Sequence, residues 1–179
     1  VTEPLVAELE GIAGRGNVCA DASAVERYAS DEFALRRPDA RPEVVVKPAT
    51  AAQVAEVLKL ANRESFPVVA RGGGTGLCGG CVPVFGGVVL SMERMNAVVE
   101  IDPADLLARL EAGLSLRDFY AALAAERLFF PPHPGEEGAT VGGVVATNAG
   151  GSRAVKYGTV RNFVRGLDVV FPDGSAASL

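Results

Sequence analysis

Apolar positions recur along the chain in two ways, at helical spacing and in short unbroken runs, and the switching between them outlines its elements. Residues 1–37 carry the helical spacing. Thr2 is placed to cap a first helix, Pro4 is tolerated in its first turn, and the stretch from Gly11 to Gly16 ends it. A second helix is predicted from Asp21 towards Tyr28. The run Glu43-Val-Val-Val-Lys47, flanked by Pro42 and Pro48, reads as a buried strand. Thr50-Ala-Ala-Gln53 has the form of a capping box, opening a helix with inward positions Val54, Val57, Leu58 and Ala61. Pro67-Val-Val-Ala70 then predicts a strand, completing a β-α-β unit of the kind that usually makes parallel neighbours.

Beyond this point short runs dominate. Val88–Ser91, Ala97–Ile101 and Leu106–Ala112 predict three strands, the last two joined by a turn at Asp102-Pro-Ala-Asp105. Ser115-Leu-Arg-Asp118 opens a helix expected to end near Arg127. The prolines of Phe129–Gly135 exclude helix and central strand. A strand follows at Leu167–Phe171, then a turn at Pro172-Asp-Gly174. Ser175–Leu179 reads as the opening of a strand whose hairpin partner is missing, so the chain is expected to be cut within a domain. The pattern divides near residue 95, and there is no internal repeat or long linker.

Composition narrows the function classes. With 179 residues, 49% hydrophobic and 22% charged, the chain can bury a core and is neither disordered nor fibrous. Its 17 basic against 22 acidic residues, net charge -5, argue against nucleic acid or an anionic membrane as partner. No apolar run reaches the roughly 18–20 residues of a membrane helix, and Val1–Glu10 lacks the features of a signal peptide. Three cysteines and one histidine cannot form a disulfide framework, which points to a reducing, cytoplasmic setting. Glycine is enriched at 21 residues, and it is concentrated between Gly72 and Gly87 and between Gly135 and Gly158.

The first cluster reads Arg71-Gly-Gly-Gly-Thr-Gly-Leu-Cys-Gly-Gly-Cys81. Backbone free of side chains lets several N–H groups face one concavity, which suits a phosphate or diphosphate. Gly74, Gly76 and Gly79 satisfy G-x-G-x-x-G, but turn and strand chemistry follows where a Rossmann motif needs a helix, so that reading is rejected. No Walker Gly-Lys-Ser/Thr occurs. Cys78 and Cys81 form a C-x-x-C without enough further ligands for zinc and without a helix to activate a thiol; they read as two small residues. The alternative for the whole cluster is a tight turn with no ligand.

The second cluster, Phe130 to Gly158, contains Pro-Pro-His-Pro, Thr-Val-Gly-Gly, Ala-Thr-Asn-Ala-Gly-Gly and Lys-Tyr-Gly. Together with Arg-Gly-Gly-Gly-Thr-Gly, in this order and spacing, these segments resemble the FAD-binding domain of the vanillyl-alcohol oxidase type. They resemble most the branch of the glycolate oxidase D subunit and the FAD-linked D-lactate and D-2-hydroxyglutarate dehydrogenases. The likeness covers residues 18–179.

The resemblance implies an α+β fold of two small α/β subdomains, with mixed parallel and antiparallel sheets and FAD between them. An N-terminal helical segment (1–37) would precede a first subdomain (38–95) and a second, incomplete one (96–179). It further implies that the loop of Arg71, Gly72, Gly73, Gly74, Thr75 and Gly76 wraps the diphosphate through backbone N–H groups. The segment with His133, Thr140, Gly142 and Gly143 would pass the diphosphate and ribityl chain, and Thr147, Asn148 and Gly150 would approach the flavin ring. Thr75 stands where some relatives carry a histidine bonded to the flavin, so FAD is expected to be non-covalent. His133 replaces a usual Asp and Cys78 a usual Ser, both read as benign. Arg153, Lys156 and Arg161 either offset cofactor charge or are simply solvated. No catalytic residue is expected in these 179 residues, because the family's substrate domain lies beyond them.

The implied activity is hydride transfer from the α-carbon of a small 2-hydroxy acid to FAD, of glycolate or D-lactate type, with the 179 residues alone inactive. Electrons would then leave to a quinone or a partner subunit. Two alternatives stand: a non-catalytic FAD-binding fragment that dimerises through its unfinished edge, and a different flavoenzyme such as an enolpyruvyl-sugar reductase.

Overall fold

The computed structural model describes residues 1–32 and 40–179. The expected helical character of residues 33–37 and the boundary at 37/38 lie outside them. The chain divides into two compact units, Val1–Arg94 with Gly166–Leu179, and Met95–Arg165. Residues 166–179 belong to the first of these units.

In the first unit, α1 (Glu3–Ala13) starts after Thr2 with Pro4 in its first turn and stops at Gly14. Asp21 caps α2 (Ala22–Val25) by accepting from the N–H groups of Ser23 and Ala24, and a 3-10 turn carries the chain on to Tyr28. Three parallel strands, β2 (Val44–Val46), β3 (Val68–Arg71) and β4 (Val88–Ser91), form a sheet with the short antiparallel β1 (Val18–Cys19) in the order β1-β2-β4-β3. The β-α-β unit is therefore parallel but split. Val44 and Val68 both register on Val88, with β4 between them. Every residue of β2 and β4 is buried, which explains their unbroken valine runs: a strand covered on both faces has no polar side to alternate with.

The helix between them, α3 (Ala51–Glu64), is capped by Thr50 Oγ1, which accepts from the Gln53 N–H at 3.2 Å. The Gln53 side chain reaches back to accept from the Ala49 N–H at 2.7 Å. Its buried residues are Val54, Val57, Leu60 and Ala61. Leu60 thus replaces Leu58 on the inner face. At ~100° per residue, Val57, Leu60 and Ala61 extend the stripe to one side of Val54, whereas Leu58 falls on the other.

The last two strands, β7 (Asp168–Val170) and β8 (Ala176–Ser178), pair antiparallel, Val169 opposite Ala177. This corrects the expectation that the final strand lacks its hairpin partner: the Pro172-Asp-Gly174 turn folds it onto β7. Asn62 Nδ2 donates to the Pro172 carbonyl at 2.7 Å, fastening that turn to α3.

The second unit is built on the hairpin β5 (Val98–Asp102) and β6 (Leu107–Leu110). Its turn is held by Asp102 Oδ1, which accepts from the N–H groups of Ala104 and Asp105. Ser115 caps α4 (Leu116–Ala125) by accepting from the Asp118 N–H. The core gathers Leu114, Leu116, Phe119, Leu123, Ala139, Val144 and Val160. The second glycine cluster contains two short helices, α5 (Val141–Ala146) and α6 (Ala154–Tyr157), where the sequence suggested only a path of small residues. No helix is long and apolar enough to cross a membrane among the described residues.

Candidate functional site

Arg71 is the last residue of β3, and the glycine loop begins at the carboxyl end of the parallel strands. No helix follows it; residues 72–87 turn back into β4. Among the described residues, no main-chain carbonyl accepts from the N–H groups of Gly72 through Cys78. A run of backbone donors without main-chain partners is what an oxyanion-binding loop requires.

The Arg71 side chain does something else. It is 9% exposed, and its Nη1 donates to the Ser30 carbonyl at 2.7 Å and to the Cys81 sulfur at 3.3 Å. Nη2 donates to the Arg27 carbonyl at 3.4 Å. The loop then folds over this guanidinium. Gly74 has φ +74, and a Cβ there would lie 2.6 Å from the Arg71 Cζ. Both the left-handed backbone and the buried cation demand glycine. Gly76 is exposed, and a Cβ there would meet only Asp31 Oδ2 at 3.4 Å. Burial raises the Cys81 thiol pKa, and the nearby Arg71 charge only partly opposes this. Cys78 and Cys81 are both free thiols, and no cluster of three or more metal-ligating groups exists among the described residues.

A charged network that the sequence reading missed surrounds Tyr28. The cationic groups of Arg27, Lys47 and Arg71 lie 4.9, 5.9 and 5.7 Å from its ring centre. Its hydroxyl accepts from Arg27 and donates to Glu93 Oε2 at 2.9 Å, and Glu93 is also paired with Lys47 at 2.7 Å. Burial pushes the Glu93 carboxyl upwards, but hydrogen bonds from Lys47, Tyr28 and Ser91 outweigh it and hold the pKa below the ordinary value. Lys47 is raised, chiefly by its bond to Glu93. These residues are scattered between positions 27 and 93, and no local motif announces them.

In the second unit Thr140, Gly142, Gly143, Thr147, Asn148 and Gly150 lie on α5, its cap and the turn after it, and His133 lies apart from them in sequence. Thr140 is buried and caps α5, accepting from the Gly143 N–H. Gly142 packs where a Cβ would lie 2.8 Å from that of Ala112, so internal packing alone accounts for its missing side chain. A Cβ on Gly143 would stand 3.2 Å from Thr140 Oγ1. The Thr147 hydroxyl donates to the Gly143 carbonyl at 2.9 Å. Asn148 takes the left-handed conformation, φ 48, and its Oδ1 accepts from the Arg161 N–H at 3.0 Å. Gly150 is exposed, with no atom close enough to forbid a side chain. His133, φ 45, stacks on Tyr120 with ring centres 5.2 Å apart, and its carbonyl lies against Gly151. Arg153, Lys156 and Arg161 are exposed.

The residues present fit a dinucleotide diphosphate on the first loop: N–H donors without main-chain partners, a glycine at φ +74 packed on Arg71, and surrounding cations. Thr75 offers no imidazole for a covalent flavin bond.

Residues 42–179 match the FAD binding domain family. The chain is 53% identical over 131 residues to a D-lactate dehydrogenase of Archaeoglobus fulgidus, covering 73% of this chain and 29% of that protein. It is 34% identical over 175 residues to the glycolate oxidase subunit GlcD of Bacillus subtilis, covering 97% of this chain and 37% of that one. The chain thus spans about a third of the length of these relatives. Among solved structures, alkyldihydroxyacetonephosphate synthase superposes with a TM-score of 0.89 at 22% identity, over 100% of this chain and 35% of that one, a likeness of fold. The chain belongs to the FAD binding domain family, and its cofactor is FAD.

Proposed function

We propose that this chain is the FAD-holding part of a flavin-dependent 2-hydroxy acid dehydrogenase of D-lactate or glycolate type. The observation that carries this reading is the 53% identity to a D-lactate dehydrogenase, on a fold whose glycine loop presents N–H donors without main-chain partners at the carboxyl end of the parallel strands. In this proposal Arg71 to Gly76 hold the diphosphate. His133, Thr140, Gly142 and Gly143 line the chain's passage along the cofactor, and Thr147, Asn148 and Gly150 stand near the flavin ring. The cofactor is held without a covalent bond.

FAD, when bound, supplies the acceptor for the hydride that leaves the substrate α-carbon. The residues of this chain bind and orient. Backbone donors fixed by Gly74 receive the phosphates without reorganising, and the bond from Arg161 N–H to Asn148 Oδ1 fixes the turn after α5. The loop departs from β3, which pairs along its length with the wholly buried β4. Substrate and proton-accepting residues belong to the parts of such enzymes outside this chain, as do the quinone or partner subunit that takes the electrons. A cytoplasmic setting is part of the same proposal.

The test is reduction of an artificial electron acceptor by the full protein with D-lactate, glycolate and D-2-hydroxyglutarate in turn. The reading expects turnover with at least one of these acids. A flavin-loaded protein that oxidises none of them overturns the substrate class.

A further inference from the structure

Cys78 and Cys81 are a pair of reactive side chains that the cofactor reading leaves without a task. Both are free thiols; Cys78 is exposed and Cys81 half-buried. Only Gly79 and Gly80 separate them, so no side chain intervenes along the chain. Gly79 has φ +74, and nothing lies within 4 Å of a Cβ position on Gly80. The backbone turns here, with the Val82 N–H donating to the Gly79 carbonyl at 3.1 Å. Three residue steps span about 10 Å at most, and a disulfide joins Cα atoms about 4.4–6.8 Å apart. Tightening of the two glycines is all that a bond between these sulfurs requires of the chain.

The second sulfur is tied to the rest of the loop. Cys81 Sγ accepts from Arg71 Nη1 at 3.3 Å, and the same nitrogen donates to the Ser30 carbonyl at 2.7 Å. The Arg71 side chain in turn lies against Gly74, within the segment whose N–H groups have no main-chain partners. Bonding to Cys78 would hold the Cys81 sulfur in the geometry of a disulfide instead, and the backbone at Cys78 would move with it. We infer that Cys78 and Cys81 are a reversible disulfide site, closed by a low-molecular-weight disulfide such as glutathione disulfide, and that closure loosens a cofactor held on the loop. The effect on the cofactor rests on the reading of the loop as the FAD site.

The exchange runs in two steps. The exposed Cys78 thiolate attacks one sulfur of the small disulfide, whose S–S bond breaks; a mixed disulfide forms on Cys78 and one thiolate leaves. The Cys81 thiolate then attacks the Cys78 sulfur and expels the second small thiolate. The two cysteine protons end on the two released thiols, so the protein sulfurs are oxidised and the small disulfide is reduced. Burial raises the Cys81 thiol pKa, which suits it to the second step, where closeness to its target offsets a smaller thiolate fraction.

Trypsin cutting after Arg71 and Arg94 releases residues 72–94, which hold these two cysteines and no third. The full protein, freed of cofactor, is treated with glutathione disulfide, its remaining thiols are blocked, and this peptide is weighed. FAD affinity is measured by fluorescence titration before treatment, after it, and after reduction with dithiothreitol. The expected result is a peptide lighter by two hydrogen atoms and FAD affinity lower by about tenfold or more, both restored by reduction. Cys81→Ser should stop with one glutathione on the peptide, and the FAD affinity of Cys78→Ser/Cys81→Ser should be indifferent to the oxidant. Thiols left free, or glutathione on both, overturn the proposal. A closed bond with unaltered FAD affinity also overturns it, as does an equal loss of affinity in the double variant. A reduced wild type that binds no FAD refutes the reading of the loop, and with it the effect on the cofactor, while the peptide mass still decides whether the bond forms.

Discussion

Replacing Gly74 by alanine tests the loop's construction most sharply. At φ +74 a side chain must occupy the left-handed region, which costs about 1–2 kcal/mol. Its Cβ would also lie 2.6 Å from the Arg71 Cζ, a distance at which one group must move. The mobile partner is the guanidinium, whose displacement sacrifices the 2.7 Å bond to the Ser30 carbonyl; a hydrogen bond to a charged group contributes about 1.5–3 kcal/mol. The two effects together give roughly 3–5 kcal/mol, or about 6–20 °C in Tm for a domain of this size. The assay is thermal unfolding followed by circular dichroism, with Gly80→Ala as the control. Gly80 is exposed and has nothing within 4 Å of its Cβ position, so its replacement should change stability by no more than about 0.5 kcal/mol. If Gly74→Ala unfolds at the same temperature as Gly80→Ala, the packing of the loop on Arg71 is wrong.

Three further outcomes follow from particular contacts. Gly142→Ala should lose about 1–2 kcal/mol in denaturant unfolding, because overpacking against Ala112, 2.8 Å away, exceeds the gain in helix propensity; a stabilised variant would contradict that close approach. Among the described residues the buried Tyr120 hydroxyl has no hydrogen-bond partner, so Tyr120→Phe should be neutral or stabilising by up to about 1 kcal/mol, and a clear loss of Tm would reveal a partner. The Glu93 pKa lies below its ordinary value, so its share of stability is present above about pH 4.3 and is lost as pH falls through the lower folded value. The raised Lys47 is the other half of the same pair, and its share disappears only at strongly alkaline pH, as pH rises through the folded value. Glu93→Gln should therefore lower Tm at pH 7, and its difference from wild type should shrink as pH falls through the acid range; a difference independent of pH would place its cause outside the carboxylate.

Local chemistry was legible wherever one short segment settles a feature. Thr50 with Gln53, Ser115 with Asp118 and Asp102 before its turn each do in the structure what their spacing announced. The valine runs of β2 and β4 were legible because burial on both faces leaves no alternation. What could not be read was partnership. Nothing in Val88–Ser91 says that it slips between β2 and β3, because pairing order follows from how whole strands pack. The pairing of Ser175–Leu179 is not legible in the sequence because β7 and β8 are only three residues each. The short α5 was hidden by the Gly142-Gly143 pair, whose low helix propensity is offset by the Thr140 cap and by burial of Val144. For the loop, the glycines were visible, but the buried Arg71 and the cations around Tyr28 were assembled from distant positions and left no local signal.

The central claim is that the loop at the end of β3 holds the diphosphate of FAD. Its most direct test is the visible flavin spectrum of the full protein, recorded after FAD is added and the free cofactor removed, for wild type beside Gly76→Glu. Position 76 has room for a side chain and no left-handed strain, so the glutamate adds a negative charge to the loop with little disturbance to its backbone. The account predicts near-stoichiometric flavin retained by wild type and lost from the folded variant. Equal retention by both would place the diphosphate elsewhere and contradict it.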